Sequence, residues 1–294
     1  MNNLINKDSL AYVENQSWEN IKEYLESFKE VTRQREKNLI PFYHNAPQLA
    51  YRSGIVRYLK KVCTDKQFSH CCLHLAVYLV DIFMDSHNIV PQKILVMTNV
   101  CLLLAVKFEE HVRQVPKISE LNAIVQNRYT VKEHKFWEIV ILNFFCWYIR
   151  YPTAAHYAHY FMQVSVTAEE LRNRSETVRS MVFTLNEKVL EYLDQVIESV
   201  HYMQDFRPSL LAAAIISASR IECGLPPWTD YLSEITDYKI DDIQALLCTL
   251  SVNKYSQRVE PMLPYSSFIC TFKNNYCETC KIVSCPKCFF LRKT

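Results

Sequence analysis

The sequence predicts an all-α fold, and three observations carry that expectation. The first is glycine: among 294 residues only Gly54 and Gly224 occur, so the Asn-Gly and Asp-Gly turns that close β-hairpins are missing. The second is proline. Pro47, Pro91, Pro116, Pro152 and Pro208 bound long proline-free segments, as a residue without an N–H does when it starts or ends helices. The third is period: within those segments apolar residues recur at intervals of three and four, the spacing of one helix face.

Each element follows from the same signals. Trp18, Ile21, Leu25 and Phe28 mark one face of an amphipathic helix, with Ser17 positioned to cap it. A polar stretch from Asn38 to Pro47 comes next. Helices are then expected over roughly 49–63, 69–87, 91–109, 117–126 and 130–147. The third of these, from Lys93 to Lys107, is apolar nearly all round, the pattern of a central helix wrapped by others. After Pro152 the pattern restarts, with helices over roughly 153–163, 176–198, 208–222, 228–236 and 239–254. Here Pro208 to Ser219 supplies the apolar middle helix, and its small residues let neighbours approach closely. The expected organisation is an N-terminal helix and approach segment (1–47), two five-helix units (48–150 and 151–258) and a tail (259–294). That tail holds cysteines at 270, 277, 280, 285 and 288.

Composition excludes several functions. A hydrophobic content of 49% with 22% charged residues is that of a folded globular chain. Two isolated glycines cannot build a phosphate cradle or a nucleophile elbow, which need clustered glycines for close backbone approach. A net charge of +2 gives no global field for nucleic acid or anionic lipid. The apolar run from Ile94 to Val106 is too short for a bilayer core of about 30 Å, so no membrane partner is expected. The first ten residues are polar, unlike a secretory leader. Twelve cysteines therefore read as reduced thiols or metal ligands in the nucleus and cytoplasm, not as disulfides of a secreted chain. The acid pairs Glu109-Glu110 and Asp241-Asp242 have no placeable base or nucleophile, and no catalytic residue is expected.

Motifs add what composition cannot. His74-Leu-Ala-Val-Tyr-Leu-Val-Asp81, then Cys101-Leu-Leu-Leu-Ala-Val-Lys-Phe-Glu-Glu110, then Phe136-Trp-Glu138 leading to Trp147, resemble the cyclin box in order and spacing. The approach Ile40-Pro-Phe-Tyr-His-Asn-Ala-Pro-Gln-Leu49 and the string Pro152-Thr-Ala-Ala-His156 are similar to the cyclin J branch of that family. The resemblance covers residues 15–255 or so. It implies tandem cyclin-box domains and a regulatory subunit that binds and activates a cyclin-dependent protein kinase in cell-cycle control, with substrate proteins reached through the complex. Lys107 would donate to backbone carbonyls beside the kinase C-helix, and Glu138 would accept from backbone N–H groups there. Such charge-assisted bonds are largely independent of the partner's side chains. Phe108, Leu104, Leu142, Trp147 and Ile149 would form the apolar floor under the kinase helix.

Many cyclins also carry a hydrophobic patch that recruits substrates. The matching positions are Tyr51, Gly54, Ile55, Tyr58, Lys61 and Leu95. Gly54 replaces an apolar side chain and Lys61 reverses the expected charge, so docking of basic motifs should be weak or altered.

Other constellations carry less. Cys277, Cys280, Cys285 and Cys288 form two Cys-x-x-Cys pairs, readable as a zinc knuckle or as a thiol-rich tail that binds nothing specific. No other cofactor is expected. His156-x-x-His159 shares a helix face without a third ligand, and Cys71-Cys72-x-His74 reads as buried core. The alternatives to a kinase activator are a transcription-factor-IIB-like DNA-binding module, disfavoured by the near-neutral charge, and a scaffold that has lost kinase binding, disfavoured by Lys107 and Glu138.

Overall fold

The computed structural model describes residues 27 and 29–256, and beyond them the strands Phe272–Lys273 and Tyr276–Cys277. It is all-α, with that one two-residue antiparallel pair, Phe272 opposite Cys277, as the exception among the described residues. Residues 29–37 form the described part of α1; its apolar positions Trp18, Ile21, Leu25 and Phe28, and Ser17, lie outside the described residues. A 3-10 turn, Pro47–Tyr51, leads into α2 (Arg52–Lys66), α3 (His70–Ser86), α4 (Pro91–Glu109), α5 (Ile118–Ile124) and α6 (Val131–Phe144). Then come α7 (Ala154–Met162), α8 (Val178–Val196), the short α9 (Val200–Gln204), α10 (Pro208–Glu222), α11 (Asp230–Thr236) and α12 (Ile240–Ser256).

The described residues fall into two compact units. One gathers 41–68 and 76–149; the other gathers 29–40, 69–75 and 150–256. In the first, α4 packs against α6 and α2. Pro91 opens α4 at its first position, where a missing N–H costs nothing. From Val96 to Val106 every residue of α4 is buried. By length and composition α4 could cross a membrane, but its burial within the unit is that of a core helix. Arg52 donates two bonds of 2.9 Å to Asp81 in a buried pair that ties α2 to α3.

The second unit repeats the scheme around α10, which packs on α7, α12 and α8. Its buried alanines, Ala212 to Ala214, allow those helices close. Gly224, at φ 68°, follows α10 in the left-handed conformation that glycine adopts without strain. Arg220, fully buried, donates to the carbonyl oxygens of Pro226 and Ser165 and to Glu170. That ties the segment after α7 to α10. α1 belongs to this unit and is fastened to it by polar contacts. Arg33 donates to Ser209 Oγ (2.6 Å), the Tyr238 hydroxyl (2.7 Å) and the Thr236 carbonyl (2.5 Å). Glu36 accepts from the Ser209 N–H (2.7 Å) and hydroxyl (2.8 Å), placing a carboxylate at the positive end of α10.

Candidate functional site

The site is built where α6 crosses α4. α6 starts at a capping box: Thr130 Oγ1 accepts from the Glu133 N–H (3.2 Å), and Glu133 accepts from the Thr130 N–H (2.8 Å). Asn122 fixes the preceding turn, donating to the Tyr129 carbonyl (2.6 Å) and accepting from its N–H (3.2 Å). Glu133 also takes a 2.6 Å bond from Lys93. The Lys93 ammonium and the Thr130 bonds hold the Glu133 carboxyl down at about 2.

Five residues further along α6, Glu138 meets Lys107. The Nζ–Oε1 distance is 2.5 Å, with the lysine side chain about half exposed and the carboxylate mostly covered. The structure therefore brings the two charged candidates into direct contact with each other. Exposed pairs of this kind stabilise a fold by only about 0.2–1 kcal/mol, so the pair is a poor source of stability. It is a good display of one donor and one acceptor side by side on the surface.

The apolar candidates divide. Phe108, next to Lys107, and Trp147 are exposed, and Leu142 and Ile149 are half-buried. Leu104 is not available: it points into the core at 3% exposure, one helical turn before Phe108. Of the five residues expected in the floor, four reach the surface and Leu104 does not. Trp147 projects because α6 ends in two successive left-handed residues, Cys146 (φ 51°) and Trp147 (φ 61°). The Trp147 N–H closes on the Leu142 carbonyl (2.7 Å), and its indole N–H donates to Asn143 Oδ1 (3.0 Å). The sequence reading missed Ile139, and it used Phe136 only as a motif letter. Both stand exposed on α6, at 49% and 63%; their i, i+3 spacing was the available signal.

At the positions of the expected degenerate substrate patch, the structure turns three residues inward. Ile55 and Tyr58 are core residues at 1% and 2% exposure, and the Tyr58 hydroxyl donates to Asn99 of α4. Gly54 is buried too. Of the six positions, Lys61 is exposed, while Tyr51 and Leu95 are half-buried. The hydroxyl is the physical reason for Tyr58: it finds its partner inside the unit, so the ring turns inward.

Among the described residues, no group of three or more Cys, His, Asp and Glu is arranged to hold a metal ion. Cys280, Cys285 and Cys288 lie outside the described residues, and Cys277 is described only as a strand residue. His156 Nδ1 accepts from the Thr153 N–H (3.1 Å), capping α7. Cys72 and His74 are fully buried and Cys71 partly so, as core residues.

Comparison with known proteins decides the family. Residues 20–150 match the family described as the cyclin N-terminal domain, and residues 152–260 match the cyclin C-terminal domain. The chain belongs to the cyclin family. The cyclin-J-like protein of Mus musculus is 31% identical to this cyclin over 230 residues, which is 75% of the chain and 59% of that relative. The chain spans little more than half the length of the curated relatives it matches. Among solved structures, a viral cyclin from herpesvirus saimiri superposes with a TM-score of 0.56 at 14% identity, covering 76% of this cyclin and 97% of the viral chain. A chain of the yeast RNA polymerase II CTD kinase CTDK-1 complex superposes with a TM-score of 0.52 at 16% identity, covering 81% and 78% respectively. At these identities both show the cyclin fold.

Proposed function

We propose that this cyclin is a regulatory subunit, not itself an enzyme, that binds a cyclin-dependent protein kinase through the α4–α6 face and activates it. The observation that carries the reading is the Lys107–Glu138 pair, flanked by exposed Phe108 and Trp147. In a kinase the C-helix carries a glutamate that must meet the ATP-binding lysine, and pressing that helix inward brings them together while the activation loop opens. A rigid face offering one donor, one acceptor and an indole suits that task. Apolar anchors supply affinity, and the charged pair sets register against backbone groups of the kinase. A role in cell-cycle control, acting on substrate proteins in the nucleus and cytoplasm, is part of the same reading. With Ile55 and Tyr58 in the core, those substrates would be recruited without an α2 patch.

A charge exchange tests the site. Lys107→Glu with Glu138→Lys keeps an ion pair between α4 and α6 but reverses the polarity offered to a partner. Purified kinase catalytic subunits are titrated against both proteins. The exchange is expected to leave the thermal midpoint unchanged and to weaken binding at least tenfold, since each charge now opposes the backbone group it should meet. Equal binding by the two proteins would overturn the assignment.

A further inference from the structure

One face of α6 is left over after the pair and the floor are accounted for. Phe136 and Ile139 stand exposed there, three residues apart and on the same side of the helix. Lys132 and Lys135, also exposed, lie beside them. The carboxylates of the helix are already committed, Glu133 to Lys93 and Glu138 to Lys107, so the uncovered charge along this strip is positive. Phe136 meets the Trp137 ring edge-on at 6.1 Å, and Trp137 meets the buried Phe83 in the same manner, also at 6.1 Å. The outer ring is thus linked through edge-on aromatic contacts to the buried Phe83.

We infer that Phe136 and Ile139, flanked by Lys132 and Lys135, form a second kinase-contact strip that takes an apolar segment of the kinase bearing acidic side chains. Two features on the molecule select that occupant. Ile139 lies three residues before the half-buried Leu142, on the same side of α6, so the strip borders the face proposed above. Its lysines favour carboxylates and repel basic segments. The inference rests on the kinase-binding reading and adds a determinant of which kinase is chosen. Kinases sharing the same C-helix backbone would be told apart by what they place against Phe136 and Ile139.

The test uses the full chain and a panel of purified cyclin-dependent kinase catalytic subunits, with the one that binds the unaltered chain most tightly serving as probe. Two variants are compared, Phe136→Ser with Ile139→Ser, and Lys132→Glu with Lys135→Glu. The first is expected to weaken binding at least tenfold with an unchanged thermal midpoint, because both side chains are exposed. The second is expected to weaken binding and to reduce its dependence on salt, the mark of lost charge complementarity. If both variants bind as the unaltered chain does while Lys107→Ala with Glu138→Ala binds weakly, the strip is overturned and the kinase reading stands. If no subunit in the panel binds the unaltered chain, both are overturned.

Discussion

Trp147 is the residue where shape and energy conflict. A bulky side chain at φ 61°, preceded by Cys146 at 51°, costs of order 1–3 kcal/mol per residue in backbone strain. The strain sits where the indole must project rather than fold back. Replacing it by glycine should therefore separate stability from function. Trp147→Gly is expected to hold or raise the unfolding free energy by up to about 1 kcal/mol, measured in urea, while kinase affinity falls at least tenfold. Unchanged affinity would show the exposed indole to be idle.

His74 gives a second prediction at this scale. Burial, helped by the neighbouring His70, pushes its imidazole down to about 3 from an ordinary 6.5. Below pH 6.5 the unfolded chain takes up a proton that the folded chain refuses until about pH 3. The stability it supports is complete above pH 6.5 and drains away on acidification. The slope for one proton is about 1.4 kcal/mol per pH unit. His74→Leu is expected to flatten urea midpoints between pH 6 and pH 4; an undiminished slope would assign the acid sensitivity elsewhere.

At the scale of elements, the sequence was most readable where proline and apolar period coincided. α4 and α10 begin at Pro91 and Pro208 and end at Glu109 and Glu222, as expected. Ends without proline drifted. The pattern predicts a helix over 49–63, whereas α2 runs from Arg52 to Lys66, preceded by a 3-10 turn and closed by Gln67 at φ 57°. The pattern carries α6 to 147, whereas the helix stops at Phe144. Gln67, Cys146 and Asp237 occupy left-handed positions after helices that glycine usually marks. A chain with two glycines hides its own stop signals, and α9, five residues long, had no period to show. Within the site, Lys107 and Glu138 could be found from the motif and Leu104 could not be excluded. Burial at one turn from an exposed Phe108 depends on how α6 crosses α4, which no local pattern encodes.

For the molecule as a whole, the telling feature is the fastening of α1 to the second unit. A helix read as part of a separate approach segment contributes the carboxylate that caps α10 and the guanidinium that joins Ser209, Thr236 and Tyr238. Arg33 also lies over the Tyr238 ring, 4.7 Å from its centre. Arg33→Met keeps much of the apolar stem and removes the donors. The expected cost is about 1–3 kcal/mol, the range for leaving partly buried acceptors unpaired, read as a lower urea midpoint. A change within a few tenths would mean that water replaces the guanidinium without loss.

The two ion pairs that join α4 to α6 also limit how sequences of this kind can vary in length. Lys93 and Lys107 lie fourteen residues apart on α4, and Glu133 and Glu138 lie five apart on α6. One residue inserted between the two glutamates would turn the second by about 100° and leave the first still tied. Lys107 would then face a different side chain, and the strip beyond it would rotate out of line. Both intervals are thus held to the lengths at which the two pairs close together.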